Sequence, residues 1–74
     1  MTFVVVTGAG RGLGAALVEE FEDTGAEVLV ATRKGSFCGS DKFPPLDVAD
    51  ESSIELFAGS LERPVDILVN NAAI

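Results

Sequence analysis

The sequence predicts an α/β fold: part of a doubly wound parallel sheet of order 3-2-1-4 with two main helices, the second crossover helix being missing or reduced to a turn. Three observations lead there. A β-branched and aromatic run, Phe3-Val4-Val5-Val6, passes directly into the glycine-rich stretch Thr7-Gly8-Ala9-Gly10-Arg11-Gly12-Leu13-Gly14 and then into a segment of helical period. A second short apolar run follows at Glu27 to Ala31. Between Arg33 and Leu46 stand Gly35, Ser36, Gly39, Ser40, Pro44 and Pro45, a density of breakers that no ordinary helix survives.

Residues 2–6 are apolar nearly throughout, as a strand buried on both faces of a parallel sheet requires, and form the central strand. From Gly12 to Asp23, Leu13, Leu17 and Phe21 recur at i, i+4 and i+8 with Ala16 and Val18 beside them. Glu19, Glu20, Glu22 and Asp23 lie largely off that face. Gly25 supplies a left-handed stop. The second strand ends at Thr32-Arg33-Lys34, its C-terminal edge, which is where open parallel sheets bind ligands. A parallel crossover needs about a dozen residues or more. The segment after Arg33 just reaches that length, so a short third strand is expected near Phe43 to Asp47. Asp50 is a good N-cap for a helix running to about Leu61 with Ile54, Phe57, Ala58 and Leu61 on one face, and Pro64 precedes a last strand from Val65 to Asn70.

Seventy-four residues make one small domain at most. Complete domains commonly run to roughly 100–150 residues, and a chain this short buries only about 60–65% of its unfolded surface. Its stability margin is therefore thin. With 47% hydrophobic residues the composition supports a globular core and argues against disorder. Five basic and twelve acidic residues give a net charge of −7, a field that repels nucleic acid. Apolar runs are too short for a membrane span, and no basic flank precedes a hydrophobic segment at the N-terminus. The cytoplasm is the expected location. Cys38 is the one cysteine and there is no histidine, so neither an internal disulfide nor a cysteine- or histidine-based metal site is expected. For the same reason Cys38, expected on an exposed loop, has no base to make it a nucleophile.

The strand–glycine turn–helix junction is suited to a phosphate. Glycines allow a tight turn and close approach of the backbone, and the first N–H groups of a helix, without partners inside it, point at an anion. A flexible loop after a strand would show the same residues, but the order strand, glycine turn, amphipathic helix, strand favours dinucleotide binding. A nucleoside-triphosphate loop is excluded, because that motif ends in Gly-Lys-Ser or Gly-Lys-Thr and this one ends Gly12-Leu13-Gly14.

Three motifs in order, Thr7-Gly8-x-x-x-Gly12-x-Gly14, Asp47-Val48 and Asn70-Asn71-Ala72-Ala73, resemble those of the short-chain dehydrogenases/reductases over nearly the whole chain. The resemblance implies a truncated Rossmann-type dinucleotide-binding domain over residues 1–74. Ala73 stands where the family's motif usually has glycine. Extended, epimerase-like relatives would require glycine at Arg11. The implied cofactor contacts are Gly8, Arg11, Gly12, Leu13 and Gly14 in the turn, Thr32 and Arg33 after the second strand, Asp47 and Val48 at the adenine, and Asn71 and Ala72 near the ribose. Asp47 could instead cap a turn, and Asn70 and Asn71 could satisfy backbone groups where the strand ends.

Charge bears on the choice of cofactor. An NAD site usually has a carboxylate at the end of the second strand, where it hydrogen-bonds the ribose and repels a 2′-phosphate. Here the position holds Thr32, followed by Arg33, and Arg11 lies in the glycine turn. Two guanidinium groups favour NADP(H) over NAD. The family reduces carbonyls with a tyrosine assisted by a lysine four residues on, together with serine and asparagine. The sequence has no tyrosine, and none of its five serines and two lysines carries that motif, so no catalytic residue is assigned. The expectation is the NADP(H)-binding N-terminal portion of an oxidoreductase, inactive alone. The alternative is a noncatalytic nucleotide-binding or interaction module. In either case the last strand lacks a neighbour, and self-association or pairing with a complementary C-terminal half is expected.

Overall fold

The computed structural model of the chain describes residues 1–8 and 12–71. The elements are β1 (Phe3–Thr7), α1 (Leu13–Asp23), β2 (Glu27–Thr32), β3 (Gly35–Cys38), β4 (Asp41–Phe43), α2 (Glu51–Gly59) and β5 (Ile67–Asn70). They form one five-stranded sheet of order β4-β3-β2-β1-β5. β1 pairs parallel with β2 (Phe3 opposite Glu27, Thr7 opposite Ala31) and with β5 (Val4 opposite Ile67, Thr7 opposite Asn70). Asp66 starts the β5 register, its carboxylate accepting from the Phe3 N–H at 2.7 Å and its own N–H donating to the Phe3 carbonyl at 2.9 Å.

The other half of the sheet corrects the expectation of an all-parallel 3-2-1-4 order. Instead of a crossover and a third parallel strand, β2, β3 and β4 form an antiparallel meander, with Thr32 opposite Gly35 and Cys38 opposite Asp41. The breakers explain it. Two-residue hairpin loops cost few residues, and Gly39 at φ 62 followed by Ser40 at negative φ supplies the II′-type turn that suits the strand twist. Pro44 and Pro45, which cannot donate to a ladder, end β4. The chain then returns to β2, where the Leu46 N–H donates to the Thr32 carbonyl at 2.8 Å.

Each face of the sheet has its own core. On one, Val4, Val6 and Val28 meet Val18 and Phe21 of α1; on the other, Phe3, Val5, Leu29, Ala31, Cys38 and Leu46 meet Phe57 of α2. The packed seam of α1 runs through buried Gly14, then Val18 and Phe21, at i, i+4 and i+7. Leu13, expected on that face, is 70% exposed. A helix advances about 100° per residue, so seating the small Gly14 against the sheet turns Leu13 out to solvent. α1 closes with the Ala26 N–H on the Phe21 carbonyl and the Gly25 N–H on the Glu22 carbonyl, Gly25 taking φ 86. α2 starts as expected: the Asp50 carboxylate accepts from the N–H groups of Ser52 and Ser53 at 3.0 and 3.4 Å.

Cys38 is also corrected. The hairpin buries it, with its thiol donating to a Glu27 carboxylate oxygen at 3.4 Å. Burial first, then that bond and the negative charge of Glu27, push its pKa up to about 11.

Candidate dinucleotide site

The C-terminal ends of β1, β2 and β5 converge on one edge of the sheet. Thr7 leads into Gly8, whose φ of 63 turns the chain and whose N–H donates to the Ala31 carbonyl at 3.0 Å. The turn is thereby tied to β2. Gly12 precedes α1 at φ 63 and ψ −136, a backbone that L side chains rarely adopt. Among the described residues nothing lies within 4 Å of a Cβ added to Gly12, so it is the dihedral that demands glycine there. Among the described residues no side chain caps α1. Gly14, buried, brings the helix close to the sheet. These features fit the diphosphate of a dinucleotide. Leu13 is exposed beside them. Arg11 and Ala72, both expected contacts, lie outside the described residues, as does Ala73.

The other expected residues fall into three groups. The Thr7 hydroxyl donates to the Asn70 carboxamide oxygen at 3.1 Å and accepts from the Asn71 N–H at 3.1 Å, while the Asn71 carboxamide donates to the Gly8 carbonyl at 3.2 Å. Asn71 therefore braces the glycine turn against β5, the backbone-satisfying role that its sequence context allowed. At the end of β2 the Thr32 hydroxyl donates to the Gly35 carbonyl at 2.5 Å and accepts from the Lys34 N–H at 3.2 Å. It is occupied in holding the β2–β3 turn, on which Arg33 is exposed. Asp47 and Val48 follow Leu46, which is pinned to Thr32. The Asp47 carboxylate accepts from the Ala49 N–H at 3.0 Å, and Val48 packs on the α2-side core.

Two residues at this edge were not assigned a role from sequence. Thr7 joins all three strand ends, and its only signal was its place at the head of the glycine motif. Ser53 accepts from the Asp47 N–H at 2.8 Å and donates to the Pro45 carbonyl at 3.1 Å. A serine three residues after an N-cap reads as an ordinary helix start, which hides that contact.

Two hollows complete the surface. An apolar groove of about 710 Å³ runs between α2 and β5, from Thr7, Val48 and Asn70 past Leu46, Phe57, Leu61 and Leu68. Leu68 is 64% exposed there. The opposite edge of the sheet has a hollow of about 490 Å³, where the Arg63 guanidinium stands 4.0 Å over the Phe3 ring and 3.2 Å from Glu27. Among the described residues no group of histidine, cysteine or carboxylate side chains could hold a metal ion.

The family model for short chain dehydrogenases matches residues 2–74. The chain is 40% identical to a probable oxidoreductase of Streptomyces antibioticus over 95% of its own length, but spans 28% of that protein. It is 37% identical to human L-xylulose reductase, with 96% of this chain and 32% of the reductase covered. Against galactitol 2-dehydrogenase of Agrobacterium fabrum it is 33% identical over 95% of its length and 32% of the other's. The chain thus spans about a third of the length of these curated relatives. No solved structure matches significantly. Glycine turn, strand order around it and sequence likeness over almost every residue agree: the chain belongs to the short-chain dehydrogenase/reductase family, which works with a nicotinamide dinucleotide.

Proposed function

We propose that residues 1–74 are a truncated Rossmann-type domain that binds NADP(H) in preference to NAD(H), as the cofactor-holding portion of an oxidoreductase acting on a carbonyl or alcohol. The observation that carries this reading is the pair of turns at one sheet edge: a glycine turn, with Gly8 and Gly12 both at φ 63, that leads into α1, and a β2–β3 turn whose Thr32 hydroxyl is held internally while Arg33 is exposed. The bound cofactor supplies the hydride. The N–H groups at the start of α1 would hold the diphosphate, with the glycine turn allowing its close approach. Arg33, with Arg11 from the glycine turn, takes the 2′-phosphate, and the position of Thr32 presents no carboxylate to repel it. Asp47 and Val48 would contact the adenine and Asn71 the ribose, and Ala72, outside the described residues, is assigned to the ribose with it. No residue of this chain is assigned the proton transfer, since the sequence has no tyrosine or histidine.

The groove between α2 and β5, and the outer edge of β5, support pairing with a complementary segment or a second copy. A sharp thermal transition of a monomer at low concentration would count against such pairing. A noncatalytic nucleotide-binding or interaction module is the second reading, which the apolar groove beside β5 would serve. A cytoplasmic location is proposed on composition; among the described residues no helix is long and apolar enough to cross a membrane.

Fluorescence titration of NADPH and NADH against the chain and against Arg33→Ala tests the cofactor reading. NADPH should bind at least tenfold more tightly than NADH, and the substitution should remove most of that difference. Equal affinities in the parent, or an unchanged ratio in the variant, would refute it.

A further inference from the structure

Resting on the cofactor reading above, we propose that Ser53 is a positioning residue that sets the adenine side of the site from helix α2. Among the described residues the segment Pro45-Leu46-Asp47 belongs to no strand or helix. It is held at Leu46, whose N–H reaches the Thr32 carbonyl at 2.8 Å and whose side chain is buried. On either side of that anchor the Ser53 hydroxyl makes the second attachment, accepting from the Asp47 N–H at 2.8 Å and donating to the Pro45 carbonyl at 3.1 Å. One hydroxyl has one proton to give and lone pairs to receive, and both capacities are used on a single stretch of backbone.

The attachment is directed. Asp50 caps α2 through the N–H groups of Ser52 and Ser53, which fixes the first helical turn and with it the Ser53 hydroxyl. Downstream of the Asp47 N–H, the Asp47 carboxylate turns onto the Ala49 N–H at 3.0 Å and its carbonyl accepts from the Asp50 N–H at 3.0 Å. The orientation of Asp47 and Val48 is thus set by a closed circuit, from cap to serine to backbone and back to the cap. Removing the hydroxyl leaves the Leu46 anchor and the Phe57 packing in place, so the sheet and α2 persist while the Asp47 N–H and Pro45 carbonyl lose their partner. The effect should fall on the adenine side and spare the glycine turn.

Two fragments of the cofactor separate these ends: 2′-phospho-ADP-ribose, which carries the adenine, and reduced nicotinamide mononucleotide, which does not. On the full chain, Ser53→Ala should weaken the first by roughly three- to tenfold, the order expected for net hydrogen bonds of about 1 kcal/mol, and the second by less than about twofold. Ser53→Thr, which keeps the hydroxyl, should restore the native ratio. If alanine impairs folding, Ser53→Cys fills nearly the same space with a weak donor and acceptor and gives the same comparison. A merely structural serine would lower both affinities together, and that result, or no change in either, overturns the proposal. Failure of the native chain to bind NADPH overturns the cofactor reading and this inference with it. Native binding with an unaltered fragment ratio in Ser53→Ala and Ser53→Cys overturns the inference alone.

Discussion

The two halves of the sheet are built by different rules. In the parallel half, β2, β1 and β5 end on one edge, and the Gly8 N–H and the Asn71 carboxamide knit their ends together. In the antiparallel half, β3 and β4 follow β2 through two tight turns and replace a crossover helix. The parallel half provides what any dinucleotide diphosphate needs. The first turn of the antiparallel half, with Thr32 and Arg33, is where the proposed discrimination between cofactors resides. On the proposed reading, generic binding and specificity sit on separately built pieces that meet at β2.

β2 is the place to break both at once. Leu29 is fully buried and belongs to the core that α2 covers. Leu29→Ala should cost about 2–5 kcal/mol, which in a chain this small removes most of the stability and with it both halves. Chemical denaturation followed by circular dichroism checks it; retention of a native midpoint would mean that the halves do not share β2 as a common support.

Legibility followed the same division. β1 showed as a continuous Val run, α1 as a 3.6-residue period, the start of α2 as an Asp50 cap and β5 as an apolar run after Pro64. Each of these signals arises within a few neighbouring residues. β3 and β4 did not show, because Gly35-Ser36-Phe37-Cys38 mixes turn formers with strand formers, and Arg33-Lys34 has none of the glycine or asparagine that marks many hairpin turns. What makes them strands is the neighbouring edge of β2, a tertiary circumstance. The residues that meet at the sheet edge were legible as motifs, whereas the Ser53 bridge and the outward turn of Leu13 depend on how helices seat on the sheet.

Cofactor choice separates the halves more selectively. Thr32→Asp places a carboxylate at the end of β2 and should weaken NADPH by roughly tenfold or more while NADH is unaffected or improved, since charge-assisted contacts are worth about 1.5–3 kcal/mol. Paired titrations decide it. An equal loss for both cofactors would mean that the β2–β3 turn supports the site without choosing between them.

A smaller effect is expected in the second turn. Gly39 takes φ 62 with open space around a would-be Cβ, so Gly39→Ala should cost about 1–2 kcal/mol through backbone strain alone and lower the melting temperature. Cofactor affinity should be unchanged in the folded protein. If binding falls in step, the β3–β4 turn is coupled to the cofactor edge and the division fails.

The smallest effect concerns alkaline pH. The Cys38 thiol, raised from 9.0 to about 11 by burial beside Glu27, stays protonated in the fold after the unfolded chain has begun to ionise. Stability is therefore unaffected below about pH 9, declines as pH rises toward 11, and levels off above. Denaturation midpoints measured across that range, with Cys38→Ala as the control that flattens the decline, sharpen the view of β3 as a strand with one face buried. A slope identical in the variant would remove the thiol from the account.

On the proposed function, the sheet edge formed by the glycine turn and the Thr32–Arg33 turn holds NADP(H). Calorimetric titration of the full chain with NADPH and NADH under one buffer and salt condition tests it most directly. The account predicts one dinucleotide per chain and an affinity for NADPH at least tenfold above that for NADH; no heat of binding for either, or equal affinities for the two, would contradict it.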